Sequence, residues 1–445
     1  MTSVSTRSSP RGERIALVEG GRRLSYAELD AASALTARRL AARGVGPGDR
    51  VAAAMPACVD FAVLLHAAPR LGAVLVPLSP RLGAADRDRL ADAAGARVVI
   101  EAPLDGDEAD VVPRSGPAPA APHTLLFTSG TTGEPKPVLL TWENHRASAL
   151  ASAANLGVEP DDRWLCCLPV HHVGGLAILL RSAIYGTTAV LHPAFDAAAV
   201  AESLISGEAT LVSLVSTMVR RLAEEGMTQA PALRAALLGG GPVPREVLEW
   251  GAAHGLPLVQ TYGLTETASQ VATARVEEAL ERRGAAGRPL SGVELRTGDD
   301  GEVLVRGPMV AAGALAADGW LHTGDRGRLD ADGLLWIDGR MDDLIVTGGE
   351  NVAAAEVEEA LLAHPAVVEA AVIGSEDLEW GRAVTAFVVL ARPASEAELI
   401  THCRGRLAAF KVPKSVTAVP ELPRTESGKV RRVALTVPQV ERPPL

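Results

Sequence analysis

The sequence is poor in cysteine, and its few cysteines form no recognisable framework. The spacing of Cys58, Cys166, Cys167 and Cys403 matches neither a zinc site nor a disulfide-rich secreted domain. No apolar run approaches the roughly 18 residues of a membrane span, and residues 1–12 lack the apolar stretch of a secretory signal. We therefore expect a reduced, cytoplasmic enzyme that does not bind a membrane.

A basic surface is lacking as well. The formal net charge is −11, which argues against a nucleic-acid partner. The chain has 445 residues and 47% hydrophobic content, enough to bury the cores of two or three domains. These numbers leave open whether the protein is a monomer or a homo-oligomer.

Lysine is scarce. Of the 43 basic residues, 39 are arginines, and the four lysines are Lys136, Lys411, Lys414 and Lys429. Because this chain almost always uses arginine where a positive charge suffices, a lysine indicates a site that needs a compact ammonium group. The alternative for any single lysine is chance survival at a tolerant position.

One stretch combines a lysine with glycines and hydroxyl residues. The apolar run 124–127 predicts a strand, and Thr128-Ser-Gly-Thr-Thr-Gly-Glu-Pro-Lys136 follows it directly. The glycines allow backbone N–H groups to curl toward a phosphate, and the hydroxyls and the ammonium group add donors. The spacing is not that of a Walker A loop. A solvated turn is the alternative to a phosphate loop, whose candidate ligands are Thr128, Ser129, Gly130, Thr131, Thr132, Gly133 and Lys136.

The order of predicted elements indicates an α/β fold. Residues 15–100 alternate strand and helix patterns, which is typical of parallel βαβ units, and 102–122 form a linker. Short strands after residue 284 predict a small antiparallel barrel or ribbon, and a compact α+β unit follows. We expect a large domain over residues 1–340 and a small one over 341–445.

Three further loops of unusual composition follow predicted strands. They are Leu168-Pro-Val-His-His-Val-Gly-Gly-Leu176, Gly239-Gly-Gly-Pro242 and Tyr262-Gly-Leu-Thr-Glu-Thr-Ala-Ser269. Ligands gather at the carboxyl ends of parallel strands, so one composite site is expected. On extended backbone the adjacent histidines would point in opposite directions and form a poor metal pair.

Together these motifs resemble those of the acyl-adenylating superfamily, which includes acyl-CoA synthetases, peptide-synthetase adenylation domains and beetle luciferases. The resemblance covers nearly the whole chain, and the motifs occur in the family's order between residues 128 and 429. It implies a large ATP- and acid-binding domain followed by a small mobile domain. It also implies ATP, Mg²⁺ and coenzyme A as cofactors, and a carboxylic acid that reacts through an acyl-adenylate.

The same resemblance assigns roles to residues. Glu266 is the expected Mg²⁺ carboxylate, Lys429 is the lysine of adenylation, and Asp342 is the hinge. Gly349 belongs to the turn expected to line the pantetheine tunnel. The expected nucleotide-binding residues outside the phosphate loop are Gly239, Gly240, Gly241, Tyr262, Gly263, Thr265, Asp325 and Arg340.

A finer resemblance concerns the carboxylic acid that serves as substrate. Segments 181–186, 210–217, 237–242 and 260–270 are similar to those of o-succinylbenzoate–CoA ligases of menaquinone biosynthesis. The superfamily resemblance implies that His172, a candidate catalytic residue, borders the acyl pocket. The finer resemblance implies that Arg221 binds the second carboxylate of the substrate.

Helical periodicity independently places Arg221 beside the apolar face of its helix and leaves Arg220 in solvent. The alternatives are a CoA ligase for another aryl or short-chain acid and a stand-alone adenylation enzyme. A non-catalytic adenylate-binding protein would be expected to lack Lys429 or Glu266, and both are present.

Overall fold

The computed structural model describes residues 12–129, 135–241, 243–341, 343–377, 380–424 and 430–435. The first part of the chain alternates strands with helices, as the sequence predicts. Its elements are β1 (Ile15–Glu19), β2 (Arg22–Ser25), α1 (Tyr26–Ala42), β3 (Arg50–Ala53), α2 (Val59–Ala67), β4 (Val74–Pro77), α3 (Ala84–Ala94), β5 (Ala96–Ile100), β6 (Pro122–Ser129) and β7 (Pro135–Thr141).

The phosphate-loop stretch connects β6 and β7. These strands pair antiparallel in a sheet of order β5-β3-β4-β6-β7, in which the other pairs are parallel. As the last strand in this order, β7 can contain Pro135 and Pro137, because proline is tolerated at sheet edges. Residues 130–134 lie outside the part of the chain that the structure describes.

A second, larger sheet follows. Its elements are α4 (Trp142–Leu156), β8 (Arg163–Cys166), α5 (Val173–Tyr185), β9 (Thr188–Leu191), α6 (Ala197–Ile205), β10 (Leu211–Leu214), α7 (Ser216–Glu224), β11 (Ala235–Leu238), α8 (Arg245–Ala253), β12 (Leu258–Leu264), β13 (Ser269–Thr273), α9 (Val276–Glu281) and β14 (Arg288–Pro289). The strand order is β14-β13-β12-β11-β10-β8-β9-β1-β2.

Helices cover both faces of this larger sheet. One apolar core combines residues of both sheets with α1, α2 and α5, and another packs α6, α7 and α8 against the opposite face. Burial on both faces explains why β10 and β11 are continuous apolar or small-residue runs rather than alternating ones.

The helix starts in this region follow local rules. Ser25 caps α1 in a reciprocal capping box with Glu28, and Thr141 caps α4 in the same way with Asn144. Both starts are visible in the sequence, because a hydroxyl residue precedes the helix and a polar partner stands three positions later.

The remaining elements of the described chain are strands and two helices. They are β15 (Glu294–Thr297), β16 (Glu302–Arg306), β17 (Leu321–Leu329), β18 (Leu335–Arg340), β19 (Leu344–Thr347), β20 (Glu350–Ala353), α10 (Ala354–Leu362), β21 (Val367–Asp377), β22 (Gly381–Leu390), α11 (Glu396–Arg404) and β23 (Ser415–Ala418). Strands β15 to β18 form a sheet in sequential order, and the other sheet has the order β20-β19-β22-β21 with β23 paired to β22.

Backbone packing divides the chain into two compact units. The first runs to Leu295 and includes Val305–Leu321 and Ala331–Leu335, while the second contains Arg296–Leu304, His322–Asp330 and the chain from Trp336 onward. The domain boundary expected after residue 340 stays a prediction. Among the described residues, no helix is long and apolar enough to cross a membrane.

Arg432 anchors the last described segment within the second unit. Its guanidinium group lies 3.1 Å from the Asp343 carboxylate and 2.8 Å from the Glu358 carboxylate. Glu358 is buried and also accepts a hydrogen bond from the Val372 N–H. Burial raises the pKa of Glu358 above its usual value, and the charge of Arg432 opposes that rise.

We expect Arg432→Met to destabilise the second unit by about 3 kcal/mol, because it leaves a buried carboxylate without its cation. Urea denaturation measures the loss. Because the folded-state pKa of Glu358 then rises further, the loss should grow as the pH increases above the raised folded-state pKa that Glu358 has in the parent. Adding Glu358→Gln should remove the pH dependence, and Arg431→Met at the exposed neighbour serves as the control. Equal losses of the free energy of unfolding in Arg432→Met and Arg431→Met would contradict the interpretation that Arg432 stabilises the buried Glu358 carboxylate.

Candidate active site

The three loops singled out in addition to the phosphate loop follow strands of the larger sheet. Strands β8, β10, β11 and β12 are parallel, so their carboxyl ends lie at the same edge. Gly239 at the end of β11 packs closely against Thr261, because an added Cβ would lie 2.9 Å from the Thr261 carbonyl oxygen. Gly240 has φ +80°, a conformation that favours glycine.

Strand β12 continues beyond its parallel neighbours and pairs antiparallel with β13. Tyr262 lies opposite Ala272 in this pair. At Gly263 the two backbones come so close that a Cβ would be 1.8 Å from the Ser269 carbonyl oxygen. Only glycine fits at this position, which puts the half-buried Tyr262 ring at the start of a tight bend.

The turn that carries Thr265 and Glu266 is held by the next residue. The hydroxyl of the fully buried Thr267 accepts from the Leu264 N–H and lies 3.0 and 2.9 Å from the carbonyl oxygens of Leu264 and Ser269. Ala268 and Ser269 follow with φ values of +51° and +119°, which are strained for residues other than glycine. Such strain is found where the surrounding structure fixes a functional conformation.

The Glu266 turn lies beside the phosphate-loop hairpin. Strand β7 packs against the Thr265–Thr267 turn and against the Ala312–Ala314 turn. The Ala311 N–H donates to the Glu266 carbonyl oxygen at 2.7 Å, which fixes the backbone of the carboxylate residue. Lys136 on β7 is exposed, and its carbonyl oxygen accepts from the Thr128 hydroxyl at 3.3 Å. The first unit thus brings Lys136 and Glu266 into one region.

The expected orientation of the two histidines is wrong. Residues 169–172 form a turn in which the His172 N–H donates to the Pro169 carbonyl oxygen, and His172 is the N-cap of α5. The turn brings the rings of His171 and His172 to a centroid distance of 4.4 Å. Burial lowers the pKa of His171 to about 4, and the charge of Arg81 acts in the same direction. His171 is therefore neutral near pH 7.

The expected difference between the adjacent arginines is also wrong. Arg221 is exposed, and its guanidinium carbon lies 5.3 Å from the centroid of the Phe195 ring. Arg220 is the more buried of the two and forms an ion pair with Glu246. Periodicity identified the apolar face of α7, which consists of Met218, Val219 and Leu222. It gave no information on which residues of other elements flank that face. The role of Arg221 in acid binding stays a prediction.

The second unit holds the two residues expected to bind ribose. Asp325 on β17 is buried, and its carboxylate accepts from the Arg340 guanidinium group at 2.9 Å. The same guanidinium group donates to the Thr323 carbonyl oxygen, and the Thr323 hydroxyl accepts from the Asp325 N–H. These contacts bring Asp325, in the middle of β17, together with Arg340 at the end of β18.

The expected pantetheine turn joins β19 to β20. Gly348 and Gly349 both have positive φ, and the Trp380 ring lies against Gly348. The Lys414 ammonium nitrogen lies 4.1 Å from the Trp380 ring centroid, a cation–π contact. Other candidates, Gly130, Thr131, Thr132, Gly133, Asp342 and Lys429, lie outside the described residues.

The donor chemistry around Glu266 suits Mg²⁺. The described residues contain no group of three or more histidine, cysteine or acidic side chains that could hold a metal. Mg²⁺ usually binds through one or two carboxylates together with substrate phosphates rather than through an all-protein cage. A carboxylate beside Thr265 and next to the phosphate-loop strand fits that pattern.

Comparison with known families defines the class. The AMP-binding enzyme family matches residues 5–116 and 101–315, and the AMP-binding enzyme C-terminal domain matches residues 356–429. The chain belongs to the AMP-binding enzyme family. The family and the α/β fold expected from the sequence are therefore confirmed.

Individual relatives have more specific names than the family as a whole. The 2-succinylbenzoate–CoA ligase of Bacillus licheniformis is 40% identical, over 94% of this chain and 96% of the relative. The o-succinylbenzoate CoA synthetase of Bacillus subtilis in complex with the acyl-adenylate intermediate OSB-AMP has a TM-score of 0.90 and 38% identity, with 96% of each chain covered. The same enzyme in complex with ATP and magnesium ion has a TM-score of 0.88 and 38% identity, over 95% of this chain and 96% of that chain.

Proposed function

We propose that the chain is an ATP-dependent ligase that forms 2-succinylbenzoyl-CoA in menaquinone biosynthesis. Its similarity to curated 2-succinylbenzoate–CoA ligases, at about 40% identity over nearly the full length of both chains, is the observation that carries the proposal. The packing of β7 against the Glu266 turn supports it, because adenylation requires a phosphate site next to a metal carboxylate.

The reaction has two steps. An oxygen of the succinyl carboxylate attacks the α-phosphorus of ATP, and pyrophosphate leaves to give the acyl-adenylate. The thiolate of coenzyme A then attacks the acyl carbon, the thioester bond forms, and AMP leaves. Mg²⁺ bound at Glu266 would offset the negative charge of the phosphates. Thr265 and Lys136 contact the phosphates, and Lys429 approaches the carboxylate and the α-phosphate.

The remaining roles follow the same proposal. Tyr262 lies against adenine, and Asp325 and Arg340 bind the ribose hydroxyls. Asp342 is the hinge about which the small domain rotates between the two half-reactions. Rotation of a domain about a few linker residues is ordinary hinge behaviour. The enzyme acts in the cytoplasm on small molecules, without a nucleic-acid or membrane partner.

Pyrophosphate release across a panel of carboxylic acids, with and without coenzyme A, tests the proposal. We expect release that depends on 2-succinylbenzoate, with AMP and a thioester formed when coenzyme A is present. Release with another aryl or short-chain acid, but not with 2-succinylbenzoate, would assign the chain to a different CoA ligase. Adenylation without any thioester would favour a stand-alone adenylation enzyme.

The acid site provides a separate prediction. If Arg221 binds the second carboxylate, Arg221→Ala should raise the KM for 2-succinylbenzoate by roughly tenfold, the effect of losing one charged hydrogen bond. The KM for ATP should stay unchanged. Arg220→Ala is the matched control, because Arg220 pairs with Glu246. A larger effect at Arg220 would move the site, and no effect at either arginine would show that the carboxylate binds elsewhere.

A further inference from the structure

Asn144, the third residue of α4, is buried and uses the full hydrogen-bonding capacity of its side-chain amide. The amide oxygen accepts from the Thr141 N–H and hydroxyl, each at 2.9 Å. The amide nitrogen donates to the carbonyl oxygens of Pro308 and Val310 at 2.9 and 3.0 Å. An asparagine amide can make about four such bonds. Asn144 therefore clamps two chain segments that are distant in sequence.

The two clamped segments lead to two different parts of the candidate site. Thr141 is the last residue of β7, the strand that carries Lys136. Val310 precedes Ala311, whose N–H donates to the Glu266 carbonyl oxygen at 2.7 Å. Asn144 thus connects the phosphate-loop strand to the backbone of the metal carboxylate through hydrogen bonds that all lie within the first unit.

We propose that Asn144 is a positioning residue that keeps the phosphate-loop strand and the Glu266 turn at a fixed separation. The inference rests on the proposed function, because it takes Lys136 and Glu266 as the phosphate and metal groups. Asn144 acts through its neighbours. Adenylation depends on fixed charges at the phosphates, so a shift between the two segments weakens MgATP binding.

Asparagine is suited to this position because it combines an acceptor with two donors. Asn144→Asp has the same shape and keeps the acceptor toward Thr141, but it places an oxygen opposite the Pro308 and Val310 carbonyl oxygens. Asn144→Ala removes the acceptor toward Thr141 and the donors toward Pro308 and Val310 without adding a charge. Asn155→Asp is the matched control, since Asn155 lies on the same helix and donates a single bond to the Ala274 carbonyl oxygen.

The first measurement is MgATP binding by titration calorimetry, which needs no acid substrate, together with melting temperatures. We expect Asn144→Asp to weaken MgATP binding by roughly tenfold, which is the size of effect expected when one or two hydrogen bonds are lost. Asn155→Asp should change MgATP binding by less than about twofold. If Asn144→Asp does not fold, Asn144→Ala is measured in its place. Unchanged MgATP binding in a folded Asn144 variant would overturn the proposal.

The second measurement is a double-mutant cycle with Glu266→Gln. Residues in one hydrogen-bonded network give non-additive effects. We therefore expect Glu266→Gln to weaken MgATP binding less in the Asn144 variant than in the parent. Additive losses would show that Asn144 supports only the fold and would overturn the proposal. A parent that binds MgATP but releases no pyrophosphate with 2-succinylbenzoate would refute the proposed function alone.

Discussion

Lys429→Ala is expected to lower the rate of adenylate formation by at least about a hundredfold, because removing a preorganised charge from a developing anion has effects of this size. Thioester formation from preformed acyl-adenylate should continue at close to the parent rate, since the family resemblance assigns the lysine to the first half-reaction alone. Pyrophosphate release measures the first step, and thioester formation from synthetic adenylate and coenzyme A measures the second.

The control for this prediction is another of the scarce lysines. Lys411 lies in the same unit and pairs with Glu356 at 2.7 Å, so Lys411→Ala also removes one ammonium group. Both half-reactions should remain within about twofold of the parent, as is usual for an exposed ion pair. Equal losses of the two half-reactions in Lys429→Ala would contradict the assignment of Lys429 to the first half-reaction alone.

Much of the fold could be predicted because its signals are local. Ser25 and Thr141 indicate the starts of α1 and α4, because each has a capping partner three residues later. The buried strands β10 and β11 are continuous apolar or small-residue runs between turn signals. The alternation of such runs with helices then implies parallel strands, so the location of several loops at one sheet edge also follows from the sequence.

Prediction was weaker where a strand carries site residues. Strand β17 contains Thr323, Gly324 and Asp325. This composition is not typical of a strand, so the extended conformation could not be predicted from it. The hairpin β19–β20 was missed for a similar reason, because Gly348 and Gly349 supply the turn between two short strands. In both places the hydrogen bonds of a sheet override a weak local preference.

Side-chain direction near the site could not be predicted from the sequence. A turn at residues 169–172, rather than extended backbone, brings the His171 and His172 rings together. The position of Arg221 depends on Phe195, which precedes α6 and is distant in sequence. The clamp of Asn144 was missed because its partners Pro308 and Val310 are more than 160 residues away. Its only sequence signal is the hydroxyl residue three positions earlier.

Glu266→Gln should have the other large effect. The substitution keeps the shape of the side chain and removes the charge that would bind Mg²⁺, so we expect adenylate formation to fall by about a hundredfold or more at saturating Mg²⁺. Thr267 and Ala311 hold the backbone of this turn independently of the carboxylate, so the melting temperature should stay close to that of the parent. Pyrophosphate release is measured over a titration of Mg²⁺.

Glu277→Gln provides the matched control, because Glu277 lies in the same unit and is exposed at the start of α9. Its loss should leave the Mg²⁺ titration unchanged, whereas Glu266→Gln should shift the titration to higher Mg²⁺ and lower its plateau. Thioester formation from preformed acyl-adenylate should be spared, since pyrophosphate has already left at that stage. A Glu266→Gln enzyme with a normal Mg²⁺ titration would show that another oxygen ligand holds the metal. The strained turn at Ala268 and Ser269 would then need a different explanation.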